Sequence, residues 1–148
     1  MLIKHPVLAT VVVRKAESGD EMDSIFEIRQ KVFVEEQKVD AELEYDEFEE
    51  TSVHYIAELD GKAIGTARWR HTPNGIKLER FAVMADSRNC GIGSQLVQKI
   101  LEDLPFLDNV YLHSQIQACK LYERHGFVIE GEEFIEADIR HFKMVLKP

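Results

Sequence analysis

The chain has 148 residues, a common size for one domain, and carries 27 acidic against 18 basic side chains for a formal net charge of -9. That balance argues against nucleic acid as a partner and leaves cationic amines open. Apolar and charged fractions of 45% and 30% exclude a disordered chain, and no apolar run approaches the ~18 residues of a membrane helix.

In chain order, residues 7–14 read as a β-branched strand, and residues 21–34 as a helix with Met22, Ile25, Phe26 and Val32 on one face. Residues 40–50 mark the one strong shift in composition, with seven carboxylates and no cation. A solvated loop or frayed helix is the plain explanation, and an electrostatic collar drawing in an amine is the other. Strands over 53–58 and 62–70 flank Asp60 and Gly61, a strong hairpin signal. Alternation on the second strand sets Trp69 toward the core and puts Arg68 and Arg70 on the other face, within reach of an acidic acceptor or of the acidic segment.

Pro73, Asn74 and Gly75 turn the chain into a strand over 75–83, rich in Ile76, Leu78, Phe81 and Val83. Arg88, Asn89, Cys90, Gly91, Ile92 and Gly93 lead onward into a helix over 91–104. Its Ile92, Leu96, Val97, Ile100, Leu101 and Leu104 make one apolar stripe, and Pro105 stops it. Glycines let backbone approach a ligand, and the unpaired amides and positive dipole end of the helix suit a pyrophosphate. Two commoner anion motifs fail. No Gly-Lys followed by Ser or Thr supplies a P-loop. A dinucleotide fingerprint wants a small residue where Leu96 stands and an acidic one closing the next strand, which ends in His113 and Ser114.

A strand over 109–114, a helix over 115–125 and strands over 127–130 and 139–146 complete the chain. The expectation is a mixed α/β (α+β) fold over residues 1–148, one domain, with six to seven mostly antiparallel strands flanked by about four helices. The parallel pair is joined by the Gly-loop helix. Exposed strand edges at the final hairpin make a homodimer reasonable. Only Cys90 and Cys119 are present, and the opening residues 1–10 lack a long apolar core and include Pro6, so a reducing cytoplasm is expected.

The spacing of Arg88, Gly91 and Gly93 between a strand and a helix resembles the acetyl-CoA motif of the GNAT N-acetyltransferase superfamily. Downstream, Ala118, Leu121, Tyr122, Glu123, His125, Gly126 and Phe127 resemble its helix ending in Tyr-x-x-x-Gly-Phe. Arg29, Val32, Phe33, Val34, Glu36 and Gln37, then Leu78, Glu79 and Arg80, and finally Glu136, Ile139 and His141 are similar to a small bacterial single-domain branch. Departures are Ala85 for a frequent proline, Asn89 for a frequent glycine, and Asp138-Ile139-Arg140-His141 where the branch usually reads Gly-Ile-Pro-His.

The resemblance implies an N-acetyltransferase that takes acetyl-CoA as cosubstrate and passes the acetyl group to a small-molecule or peptide amine. It implies that the strand at Phe81, Ala82 and Val83 splays from strand 109–114 and opens a slot for the pantetheine arm. Amides of Cys90, Gly91, Ile92, Gly93 and Ser94 would hold the pyrophosphate. Arg88 would meet it or brace the loop, and Asn89 would help cap the helix. Tyr122 is the expected acid for the departing thiolate, against a plain packing role. Glu79 is the leading base, read as sharing a face with Lys77 and Phe81. It is equally a solvent-facing carboxylate or an ion-pair partner of Arg70 or Arg80, and His113 and His141 are alternatives. Cys119 reads as packed, the histidines show no metal spacing, and no metal is expected. With no supported Cys-His or Ser-His pair, transfer should be direct. The competing reading is a noncatalytic acyl-CoA sensor or protein-interaction module.

Overall fold

A computed structural model describes residues 10–148. The expected first strand appears as β1 (Val11–Lys15), and the part of that expectation over residues 7–9 lies outside the described residues. The hairpin forms as β2 (Val53–Leu59) and β3 (Lys62–Thr72), with Asp60 and Gly61 both at positive φ, as a two-residue turn matched to strand twist requires. Then come β4 (Gly75–Val83), β5 (Val110–Gln115), β6 (Phe127–Ile129), β7 (Phe134–Glu136) and β8 (Ile139–Leu146). The described residues form a sheet of eight strands in the order β1-β2-β3-β4-β5-β8-β6, with β7 also on β8. The eighth, β7, is three residues long, and its turn uses Ala137 and Asp138 at positive φ without a glycine, so it carries no strong turn signal. Among the described residues only β4 and β5 run parallel.

Helix α1 (Gly19–Arg29) begins earlier than expected because Ser18 and Glu21 form a capping box, each side chain bonding the other's backbone amide. From Gln30 to Glu36 the helix continues as a π-helix, with the Gln37 amide reaching back to Val32. Short α2 (Ala41–Glu44) follows. Helix α3 (Ile92–Asp103) links β4 to β5 and buries Ile92, Leu96, Val97 and Ile100 as the stripe predicts. A 3-10 turn then leads into α4 (Cys119–Glu123). Helices α3 and α4 cover one sheet face over Tyr55, Trp69, Ile76, Leu78, Leu112 and Met144. On the other face Ile28, Val32 and Phe33 meet Ala82. Among the described residues no helix is long and apolar enough to cross a membrane.

Two irregularities place the cleft. Thr66 pairs with Ala82 but Arg68 pairs with Glu79, so β4 carries an extra residue, a β-bulge with Arg80 at φ 61. The bulge reverses side-chain parity, which corrects the expectation that Glu79 and Phe81 share a face. Phe81 packs by Tyr122 on the α3 and α4 side, while Glu79 joins the arginines on the other. Beyond it, β4 and β5 pair only from Ile76 with Val110 to Leu78 with Leu112, and residues 79–83 diverge from 113–115.

The acidic segment is also unlike its expected forms. Arg29 and Arg68 are buried to 1% and 0% exposure. Arg29 donates to Glu44 Oε1 at 2.6 Å and to both Glu49 oxygens at 2.7–2.8 Å. Arg68 donates to Glu49 Oε1 at 2.8 Å, to Asp46 at 2.5–3.0 Å and to Glu79 Oε1 at 2.7–3.1 Å. Glu44, Asp46 and Glu49 therefore turn inward as partners of buried cations, and Asp40, Glu42, Glu47 and Glu50 stay exposed. Burial alone would raise the Asp46 carboxyl, but Arg68, the Phe48 amide and Arg80 outweigh it and hold it at about 2.

Removing one member of a buried ion pair strands the rest, so Arg68→Met is expected to lower stability by about 3–5 kcal/mol in urea unfolding. Because folded Asp46 titrates near 2 and an unfolded aspartate near ~4, its contribution is complete above about pH 4 and fades as pH falls toward 2. Asp46→Asn should flatten the fall of the urea midpoint across that interval, and an unchanged slope would show the pairing to be inert.

Candidate active site

A cleft of about 890 Å³ runs along the gap between β4 and β5. Phe81, Ala82 and Val83 line it on one side, with Leu112 and His113 of β5 across from them, and Tyr122 of α4 on its wall. One end is formed by Ser87, Arg88, Asn89, Gly91, Ile92, Gly93 and Ser94, so nearly the whole expected anion loop faces the cleft. Cys90 is exposed but is not part of the lining.

The loop is shaped by two left-handed residues. Asn89 lies at φ 64, a conformation that Asn tolerates, and Gly91 lies at φ 79 as the N-cap of α3. Gly91 has no side chain to offer, so no side chain caps this helix, and Asn89 does not do so either. The first-turn amides of Ile92, Gly93 and Ser94 are thereby left to a ligand. Arg88 braces the loop. Its Nε donates to the Val83 carbonyl at 3.0 Å, and its two terminal nitrogens take the Glu36 carboxylate at 2.5 and 2.8 Å. On the same rim Arg124 is exposed and makes no ion pair with a described residue.

Tyr122 meets Phe81 edge-on with ring centroids 5.4 Å apart, and no described group bonds its hydroxyl. Burial, helped by Cys119, pushes the phenol well above its ordinary value, so it stays protonated. Gly126 follows at φ 93 and ends the helical turn that carries the ring. Cys119 is buried, its thiol 3.7 Å from the Gln115 carbonyl.

Glu79 reaches the cleft wall, yet its Oε1 already accepts from Arg68 and from Arg70 Nε at 2.5 Å, and Lys77 stands 3.4 Å from Oε2. Burial would raise this carboxyl, but Arg68, Lys77, Arg70 and Arg80 lower it. A carboxylate so paired is a weak proton acceptor. The arginines of β3 thus reach the acidic segment, as one sequence reading allows, with Arg70 also lying 3.8 Å over the Phe48 ring. Trp69 packs in the core, 3.3 Å from the Tyr55 hydroxyl.

Two groupings escaped the sequence reading. Glu136 sits between His113 and His141, with Nδ1 of His113 at 3.1 Å from Oε1 and Nε2 of His141 at 3.8 Å from Oε2, and all three line the cleft. Their common strand neighbourhood depends on the short β7 and β8 hairpin, whose alternating Phe134, Glu136, Ile139 and His141 were its only trace. Ser94 Oγ and His125 Nε2 are 2.7 Å apart, so a Ser-His contact exists that spacing did not reveal. No described group bonds Nδ1 of His125, and burial with Arg124 lowers its basicity, so the contact lacks the orienting third member of a nucleophilic triad.

Residues 13–148 match the Acetyltransferase (GNAT) domain family. The uncharacterized N-acetyltransferase YjcF of Bacillus subtilis (strain 168) is 35% identical over 134 residues, covering 88% of this chain and 95% of that protein. The crystal structure of an acyl-CoA N-acyltransferase from Pseudomonas aeruginosa superposes with a TM-score of 0.79 at 26% identity, over 94% of this chain and 99% of its own. An acetyltransferase of Bacillus subtilis in complex with CoA superposes at 0.69 and 19% identity, over 94% of this chain and 99% of its own, and speaks to fold alone. With an uncapped helix facing a splayed sheet, and a family match reaching from β1 to the last residue, the chain belongs to the GNAT acetyltransferase family and is an acetyl-CoA-dependent N-acetyltransferase.

Proposed function

We propose that the protein moves the acetyl group of acetyl-CoA directly to a primary amine on a small molecule or peptide, with no covalent enzyme intermediate. The observation that carries the cosubstrate end of this reading is the uncapped first turn of α3. Its amides at Ile92, Gly93 and Ser94 face the cleft with no side chain competing for them. They meet the pyrophosphate of CoA. Arg88 is occupied by Glu36 and acts by holding the loop, so Arg124 is the rim cation closest to free for phosphate charge. The pantetheine arm lies in the gap past Leu78, where β4 amides at 81–83 have left β5. A neighbour of the same fold was solved in complex with CoA, which supports CoA as the ligand but not a particular position for it.

The acetyl carbonyl then lies near Tyr122. Attack by a neutral amine builds negative charge on oxygen and expels the thiolate, and the two changes need donors and an acid respectively. Tyr122 is the acid. Its hydroxyl has no partner among the described residues and stays protonated through neutral pH, so it can donate to the departing sulfur. Cys90 stands outside the lining, Cys119 is packed, and Ser94 belongs to the phosphate turn, which favours direct transfer. Glu79, bound by Arg68 and Arg70, contributes fixed negative charge that orients an ammonium or a water. Two free cysteines suit a reducing compartment, and we place the enzyme in the cytoplasm on that ground.

Tyr122→Phe should lower kcat by about 100-fold or more while the affinity for CoA by calorimetry stays near wild type. Equal turnover in the two proteins would remove Tyr122 from the chemistry. Addition of CoA should shift the backbone resonances of Ile92, Gly93 and Ser94. Gly91→Val, which forces a β-branched residue into φ 79, should weaken CoA binding by roughly tenfold. Resonances unmoved by saturating CoA would place the cosubstrate elsewhere.

A further inference from the structure

The proposed reaction leaves one requirement unmet. An acceptor amine is protonated near neutral pH and has no lone pair until a proton is removed, and Glu79 is too heavily paired with cations to remove it. The opposite wall holds a different arrangement. His141 of β8 is 9% exposed, lines the cleft and stacks on Phe134 with ring centroids 5.8 Å apart. Its Nδ1 lies 2.7 Å from the Ile139 carbonyl oxygen. A carbonyl only accepts, so Nδ1 carries the hydrogen and donates it, and in the neutral ring Nε2 carries the lone pair.

That lone pair has not been used. The nearest charged partner of Nε2 is Glu136 Oε2 at 3.8 Å, beyond hydrogen-bond reach, so the lone pair stays open to the cleft. Glu136 is itself held in place by His113. Nδ1 of that ring is 3.1 Å from Oε1, and because the carboxylate accepts, Nδ1 of His113 donates. Phe134 meets the His113 ring edge-on at 4.9 Å, so both imidazoles are fixed by the same phenyl group.

Resting on the acetyl-transfer reading above, we propose that Nε2 of His141 is the base that takes the proton of the acceptor ammonium, and that Glu136 is the positioning anion that stabilises the resulting imidazolium. One N–H bond of the ammonium breaks, its electron pair stays on the amine nitrogen, and a new N–H bond forms at Nε2. The amine attacks the thioester carbon, the C–S bond breaks as the carbonyl re-forms, and the thiolate takes a proton from Tyr122. The attacking nitrogen loses its second proton as the amide forms, which restores Tyr122 through solvent, and His141 releases its own proton to water. The sum is one amide, one free thiol and one proton.

Hydrogen-bonding and charge agree with this assignment. The hydrogen bond from His113, with the charges of His113, Lys77 and His141, outweighs burial and holds the Glu136 carboxyl at about 2, so the anion is permanent at working pH. The groups facing the His141 and Glu136 pair are Lys77 from β4, His113 from β5, Glu136 from β7 and Arg140 from β8, the last already paired with Glu133. The acceptor class that fits is a primary ammonium that enters the cleft beside His141 and Glu136.

The test uses the whole protein, with acetyl-CoA and four acceptors: spermidine, glucosamine, L-lysine and an alanyl peptide. In wild type, kcat/KM for the accepted amine should rise with pH through an ascending limb set by His141. His141→Gln should lower kcat/KM by about 100-fold and remove that limb, while the affinity for CoA by calorimetry is kept. Glu136→Gln removes the counter-charge and should displace the limb, with a smaller loss of rate than His141→Gln. Ring nitrogen resonances of His141 should show the Nδ1–H tautomer and follow the same shift in Glu136→Gln, independently of any acceptor. An unchanged profile in His141→Gln, or a His141 titration that ignores Glu136→Gln, overturns the assignment. Wild type that binds no CoA and acetylates none of the amines would instead defeat the acetyl-transfer reading, and the base with it.

Discussion

Arg29 and Arg68 lie fully inside the protein and share the Glu49 carboxylate, and the wall of the cleft is built around that shared anion. Through them α1, the segment after α2, β3 and β4 are joined by charges that have no other satisfactory partners. Such a cluster adds little net stability over an apolar core of the same shape, because desolvation offsets most of its attraction. Its effect is on arrangement. Glu44, Asp46, Glu49 and Glu79 find their cations together only when the acidic segment folds back over β3 and β4, so misplacing that segment would bury unpaired charge.

The bulge at Arg80 is the second constraint, and it connects the cluster to the cleft. One extra residue sends Glu79 to the arginine side and Phe81 to the tyrosine side. In a regular strand the two would share a face, and one of the two environments would lose its member. The same irregularity ends the pairing of β4 with β5 at Leu78 and Leu112, leaving backbone groups for a ligand that itself carries amides. Backbone strain at a non-glycine left-handed residue is thus spent on opening the sheet at the place where chemistry needs it.

The cleft resolves a conflict that composition sets up. A chain with a formal net charge of -9 repels a polyanionic cosubstrate at long range, so capture has to be local. The backbone amides at the start of α3 are uncapped and suited to this without adding a mobile cation, while Glu36 ties Arg88 into the loop. At the other end, Glu79 and Glu136 are both permanent anions but in unlike settings. Glu79 is enclosed by arginine and lysine side chains, whereas Glu136 is flanked by histidines whose rings can change charge.

Local patterns in the chain were enough for the described strands other than the three-residue β7, the Asp60-Gly61 hairpin, the α3 stripe and the glycine loop before it, because each is written in neighbours a few residues apart. The resemblance across Arg88–Gly93 and Tyr122–Phe127 supplied the family and the expected splay of the sheet. Ser18 and Glu21 were also readable as a capping box and would have set the start of α1 correctly. Other features depend on partners distant in sequence. Glu49 meets Arg68 across 19 residues, and His113 meets Glu136 across 23. No local period distinguishes an acidic run that faces water from one that faces two buried arginines, and none announces a bulge that turns Glu79 away from Phe81. Short-range backbone preference decided the elements, while long-range ion pairing and the one-residue shift in β4 decided which side chains the cleft receives.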